Sequence, residues 1–128
     1  MSDELFNKGM AVRKAVLGAE YVARAEANKT PFDADWQNYV TEHAWGAVWT
    51  RPGLEKRVRS MLTIAMLASL GRLDELGAHI RATHNTGVTM EEVREVLLQV
   101  AVYAGAPAAN SAFAIAKRVY KEMESEKK

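Results

Sequence analysis

The stretch "MLTIAMLASLGRLDELGAHIRATHNTGVT", Met61 to Thr89, decides the fold. Its first ten residues are apolar on nearly every face of a helix, and such a helix has to be buried all round. Gly71 ends that run. From Leu73 to Thr86, apolar residues return at Leu73, Leu76 and Ile80, the three- and four-residue steps of a single helical face. Gly87 stands in the usual position just past a helix end. Thr89, followed by Glu92, matches a capping box that opens the next helix. The stretch is therefore a helical hairpin with a third helix starting behind it.

Working outward, helical spacing recurs along the chain with no sustained alternation. A first helix starts near Asp3, whose carboxylate can accept a bond from an orphan N–H. It continues through "KAVLGAEYVARAEA", with a distortion expected at Gly18. "NKTPFD" is a break: Pro31 cannot continue a helix, and Asp33 can cap the next one. The second helix is expected over about Ala34 to Trp49, followed by a turn at "TRPG" with Pro52 in its favoured place. The third runs from about Leu54 to Leu70, with Lys56, Arg57 and Arg59 in its first half. The fourth is Leu73 to Thr86. The fifth is "EEVREVLLQVAVYA". "GAPAAN" interrupts the chain, with Pro107 suited to a first helical turn. The sixth is "ANSAFAIAKRVYKEME", ending in a frayed charged tail. The expected architecture is all-α, about six helices with short connections.

At 128 residues the expectation is one domain spanning 1–128, long enough to bury roughly two-thirds of its unfolded surface. Part of the cover for the apolar third and fifth helices is expected to come from further subunits. The net charge of +1 offers no global attraction to nucleic acid or to an anionic membrane. The chain has no cysteine, which excludes disulfides, thiolate metal sites and thiol redox chemistry. "MSDELFNKGM" is polar and does not read as a signal peptide. No apolar run approaches the roughly 20 residues of a membrane span. The expected location is the cytoplasm.

Three groups of side chains carry candidate chemistry. Glu75 and His79, at i and i+4, can touch. A carboxylate can orient an imidazole and raise its pKa, giving a general acid near neutral pH. The same spacing also makes an ordinary ion pair on a helix surface. Arg51, Arg57 and Arg59 crowd the start of the third helix, and Arg81 lies on another side of the fourth from His79. Their guanidinium forks match carboxylates, although a solvated face or an intersubunit ion pair uses the same residues. In "EHAWGAVW", Trp45 and Trp49 share a face and can simply be core, while Glu42 and Trp45 can form a pocket wall. His43 and His84 complete no metal constellation, and His79 and His84 project about 140° apart. No phosphate loop, dinucleotide fingerprint or nucleophile elbow is present. The residues alone lead to a soluble helical oligomer with a pocket for an anion.

A resemblance extends this reading. "RKAVLGAEYV", "FDADWQNYVTEHAWGAVWTRPGL", "RSMLTIAMLASLGRLDELGAHIRATHNTGVT" and "VLLQVAVYAGAPAANSAF", in that order over almost the whole chain, resemble the carboxymuconolactone decarboxylase family. The match is to its branch acting on 4-carboxymuconolactone. The resemblance implies an AhpD-like helical bundle, a cofactor-free and hexameric enzyme, and decarboxylation of a small anionic lactone to 3-oxoadipate enol-lactone. That reaction belongs to protocatechuate breakdown in the β-ketoadipate pathway. It further implies that His79 is proton donor or oxyanion partner, oriented by Glu75. The carboxylate clamps are drawn from Arg51, Arg57, Arg59 and Arg81, with Glu42, Trp45 and Tyr103 as pocket walls. His43 is given no role. The AhpD-type alkylhydroperoxidases of the same superfamily depend on a CxxC pair. Here Arg72 and Glu75 occupy the two thiol places, so that chemistry is excluded. The alternatives are a thiol-free relative acting on another lactone or peroxide, and a non-catalytic helical oligomer.

Overall fold

The computed structural model of the chain describes residues 2–127. Among them are seven α-helices, one π-helical segment and no strand. The chain divides into two compact units, Met1–Lys56 and Arg57–Lys128.

The first unit holds α1 (Ser2–Leu17), α2 (Ala19–Ala27), α3 (Ala34–Val40) and the π segment Thr41–Gly46. Gly18 does more than distort a helix. Its φ of 95° lies where side chains are strained, and it separates α1 from α2. Asp33 begins α3 without capping it. Its carboxylate instead accepts the Thr30 N–H at 2.8 Å, closing the preceding turn. The single helix expected over Ala34 to Trp49 is interrupted, because from Thr41 the chain widens to π geometry. The Trp49 N–H donates to the Ala44 carbonyl five residues back, at 3.0 Å. Wide turns of this kind are rare and recur at functional sites. The segment packs on α1, where Gly9 is buried against it.

Buried at the centre of this unit is Arg13, only 5% exposed. Its guanidinium donates to Glu26 at 3.1 Å, Gln37 at 3.3 Å and the Thr41 hydroxyl at 3.4 Å. A buried charge is tolerated when its donors are paired in this way. Lys29 first, and then Arg13, hold the Glu26 carboxyl below its usual value.

The second unit holds α4 (Lys56–Leu70), α5 (Leu73–Thr86), α6 (Met90–Ala104) and α7 (Ala106–Glu126). The helical hairpin forms as the sequence dictates. The α5 boundaries are those expected, Gly87 is left-handed, and both bonds of the Thr89–Glu92 capping box are present. Two boundaries differ. The break expected across "GAPAAN" shrinks to Gly105, because Pro107 fits within the first turn of α7 and the helix runs on past it. The charged end stays helical to Glu126, where Glu122 and Glu126 are anchored by Arg81.

Ile64, Leu76, Ile80 and Leu97 are fully buried in the core of this unit, with Ala112, Ala116 and Val119 of α7 closing it. Each such aliphatic side chain contributes about 1.5–3 kcal/mol by leaving water. The all-round burial expected of α4 is not met within the chain. Leu70 is 72% exposed, and Leu62 and Met66 also face outward. On α6, Val102 is 76% and Tyr103 84% exposed.

Candidate active site

The Thr86 hydroxyl donates to Ser60 at 3.0 Å, which ties the end of α5 to the start of α4 in an antiparallel pair. His79 lies seven residues, two helical turns, before Thr86 and therefore on the same side of α5. Glu75 is one turn earlier again and exposed, whereas His79 is half-buried. The Glu75 charge acts on the ring and favours the imidazolium. Burial outweighs it and pushes the His79 imidazole from 6.5 down to about 4. The raised pKa expected from the carboxylate alone is thus reversed. At neutral pH His79 is a neutral imidazole, able to donate an N–H or to accept, without a fixed positive charge.

The four arginines separate. Arg81 donates to Glu126 at 2.7 Å and to Glu122 at 3.0 Å, so α7 already supplies its carboxylates. Arg57 is ion-paired with Glu92 of α6. It lines a groove of about 520 Å³ between α4 and α6 together with Met61, Val96 and Tyr103. Arg59 is half-buried on α4, next to Ser60, and its carbonyl accepts the Thr63 hydroxyl at 2.8 Å. Arg51 belongs to the first unit and is exposed, in the turn after the π segment.

Glu42 and Trp45 are carried by the π segment. Glu42 is half-buried, and Trp45 is 7% exposed with its ring 5.0 Å from that of Trp49, as a core residue would be. His43 lies against Tyr39, ring centroids 4.5 Å apart. The candidates therefore fall in three places: His79, Glu75 and Arg59 on α5 and α4, Arg57 and Tyr103 at the α4–α6 groove, and Glu42, Trp45 and Arg51 in the first unit. Sequence reasoning missed the Ser60–Thr86 bond, although two hydroxyls on facing helices were its signal. It also missed the Arg13 cluster, for which no local signal exists.

Among the described residues no group of three or more His, Asp or Glu side chains could hold a metal ion, and no helix is long and apolar enough to cross a membrane.

Residues 34–118 match the family model described as "Carboxymuconolactone decarboxylase family". The chain belongs to this family. It is 46% identical, over 96% of its length and 92% of the relative's, to the 4-carboxymuconolactone decarboxylase of Acinetobacter baylyi. It is 44% identical, over 93% of its length and 83% of the relative's, to the nitrosuccinic acid decarboxylase of Metarhizium robertsii. Family membership together with these two relatives makes the chain a carboxy-lyase on an all-α, AhpD-like fold. The absence of cysteine separates this member from thiol peroxidases on the same fold.

Proposed function

We propose that this carboxy-lyase converts 4-carboxymuconolactone to 3-oxoadipate enol-lactone without a cofactor, as a step of protocatechuate catabolism in the cytoplasm. Residues 1–128 act as one domain. The observation that carries the reading is the 46% identity along nearly the whole of both chains to a relative that bears this activity in its name.

The substrate makes the chemistry self-sufficient. As the carbon–carbon bond to the carboxylate breaks, CO2 leaves without the bonding electron pair. The pair moves through the ring C=C into the lactone carbonyl, leaving a dienolate with its charge on oxygen. A solvent-derived proton then adds to the carbon beside the carbonyl. The protein has to hold the acetate arm and stabilise the oxygen. His79, neutral and desolvated, is suited to donate an N–H to that oxygen, an interaction worth about 3–4 kcal/mol in comparable sites. Glu75 orients it. Arg59 is the first choice of clamp, because it is half-buried on α4 beside Ser60, which the Thr86 hydroxyl ties to the helix that carries His79. Arg51, Glu42 and Trp45 are secondary candidates on the first unit, and Tyr103 on the second.

The second relative favours one further reading. Nitrosuccinic acid is also a small dicarboxylic acid, and loss of the carboxylate beside its nitro group leaves a nitronate whose charge also sits on oxygen. One oxyanion donor and one carboxylate clamp serve both. Ultraviolet absorbance of the authentic lactone, and separately of nitrosuccinate, should be followed on adding protein dialysed against chelator. Rapid loss of the lactone is expected, with nitrosuccinate turned over much more slowly. An inert lactone sinks the assignment, and turnover of nitrosuccinate alone transfers it to the second substrate.

Because the buried imidazole titrates at about 4, kcat/KM should show no inflection from His79 between roughly pH 5.5 and 8. A break at the ordinary imidazole value near 6.5 would show that His79 is solvated, not buried.

We further propose that copies of the chain assemble, as a hexamer, over the apolar faces of α4 and α6. Leu70, Val102 and Tyr103, each more than 70% exposed, support this. Light scattering should give a mass about six times the 14.2 kDa chain. A dilute, fully active monomer is the contrary result.

A further inference from the structure

A second groove, of about 440 Å³, runs between α6 and α7. Its floor is apolar: Val93, Leu97 and Ala116 are core residues, and Phe113 lies at its edge. Its charged lining residues are Arg94 and Lys117, and no carboxylate lines it. Neither His79 nor Glu75 belongs to it.

The hairpin geometry sets the two cations against each other. The chain reverses at Gly105; Arg94 lies eleven residues before it and Lys117 twelve after it. The two therefore stand at about the same level, one on each helix. Three arginines of this unit pair with carboxylates: Arg57 with Glu92, Arg81 with Glu122 and Glu126, Arg118 with Glu122. Among the described residues, Arg94 and Lys117 have no such carboxylate. Two like charges flanking an apolar floor repel each other, and an anion between them turns that repulsion into two attractions.

We propose that this groove binds a small aromatic carboxylate, its carboxylate between Arg94 and Lys117 and its ring on Phe113 and Ala114. The volume lies in the range of small-molecule sites. An apolar floor asks for a hydrocarbon body, and Phe113 offers a ring face to stack on. The direction of the ring follows from charge. Toward Met90 the groove ends at Tyr120, beside which Glu91 carries a negative charge. Toward Gly105 it ends at Phe113 and the Asn110 amide, which can bond a polar ring substituent.

The site is independent of the reaction proposed above, and its test does not depend on turnover. Benzoate titrated calorimetrically into the full chain, in its native assembly, should bind saturably. Benzyl alcohol, which keeps the ring and removes the charge, should bind at least about tenfold more weakly, and so should acetate, which keeps only the charge. The exposed pair Arg94→Gln and Lys117→Gln, made together, should weaken benzoate at least about tenfold while leaving decarboxylation unchanged. His79→Ala should bind benzoate as the wild type does. Any of four results overturns the site: no saturable heat, equal binding of benzyl alcohol, full affinity in the double variant, or loss of benzoate binding in His79→Ala.

Discussion

His79→Ala lowers kcat by about 100- to 1,000-fold, the usual consequence of removing one donor from a developing oxyanion. The helix itself should survive, since alanine is the best helix former and α5 keeps Leu76 and Ile80 in the core. KM should move little, because the interaction grows only as charge reaches the lactone oxygen. A second readout separates catalysis from structure. In the wild type the folded imidazole titrates at about 4 and the unfolded one near 6.5. The unfolded chain therefore binds the extra proton first on acidification. The stability associated with neutral His79 is complete above about pH 6.5 and is lost as pH falls toward 4. The alanine variant should show a shallower loss of stability over that window. His79→Gln keeps an N–H donor without a titrating group and should recover part of kcat while sharing the shallower acid profile. A folded His79→Ala with near wild-type kcat would make His79 structural, and Glu42 would be the next residue to test.

The α4–α5 hairpin was legible because its punctuation is local. Gly71, Gly87 and the Thr89–Glu92 pair mark ends by backbone chemistry that needs no tertiary partner. The Glu75–His79 proximity was legible for the same reason, as a consequence of helical geometry. The sign of the His79 shift was not, because desolvation depends on what covers the ring. Nor was the engagement of Arg81, whose carboxylates lie 41 and 45 residues further along the chain. The least legible element is the π segment. Trp45 and Trp49 continue an ordinary helical face, and one widened turn leaves that periodicity almost intact. What sets it apart is the backbone it meets, α1 at Gly9, a contact that spans two separate elements.

That contact supports the largest expected change in stability. On helix propensity alone, Gly9→Ala should stabilise α1 by about 1 kcal/mol. Here a Cβ at position 9 would run into the carbonyl oxygen of Thr41 and stand 2.8 Å from the Gly46 nitrogen. Both obstacles are backbone, so no side chain can rotate out of the way. Gly46 is locked reciprocally: its own Cβ would come 2.5 Å from the Leu5 carbonyl oxygen. To admit a methyl group, α1 must back away from the π segment along their whole contact, loosening the bonds of Arg13 to Thr41 and Gln37. Overpacking commonly costs about 1–3 kcal/mol even where side chains can yield. Against rigid backbone the net loss should reach about 3 kcal/mol or more, a large share of the roughly 5–15 kcal/mol that holds a domain folded. The control is the reverse exchange two residues away. Ala11 is exposed on the same helix, so Ala11→Gly should cost only about 0.5–1 kcal/mol. Urea unfolding followed by circular dichroism compares the two directly. A Gly9→Ala midpoint equal to or above that of the wild type would mean that α1 and the π segment are not in backbone contact. A midpoint far below that of Ala11→Gly establishes that the close approach at Gly9, and not helix propensity, fixes where the Glu42 and Trp45 segment sits within its unit.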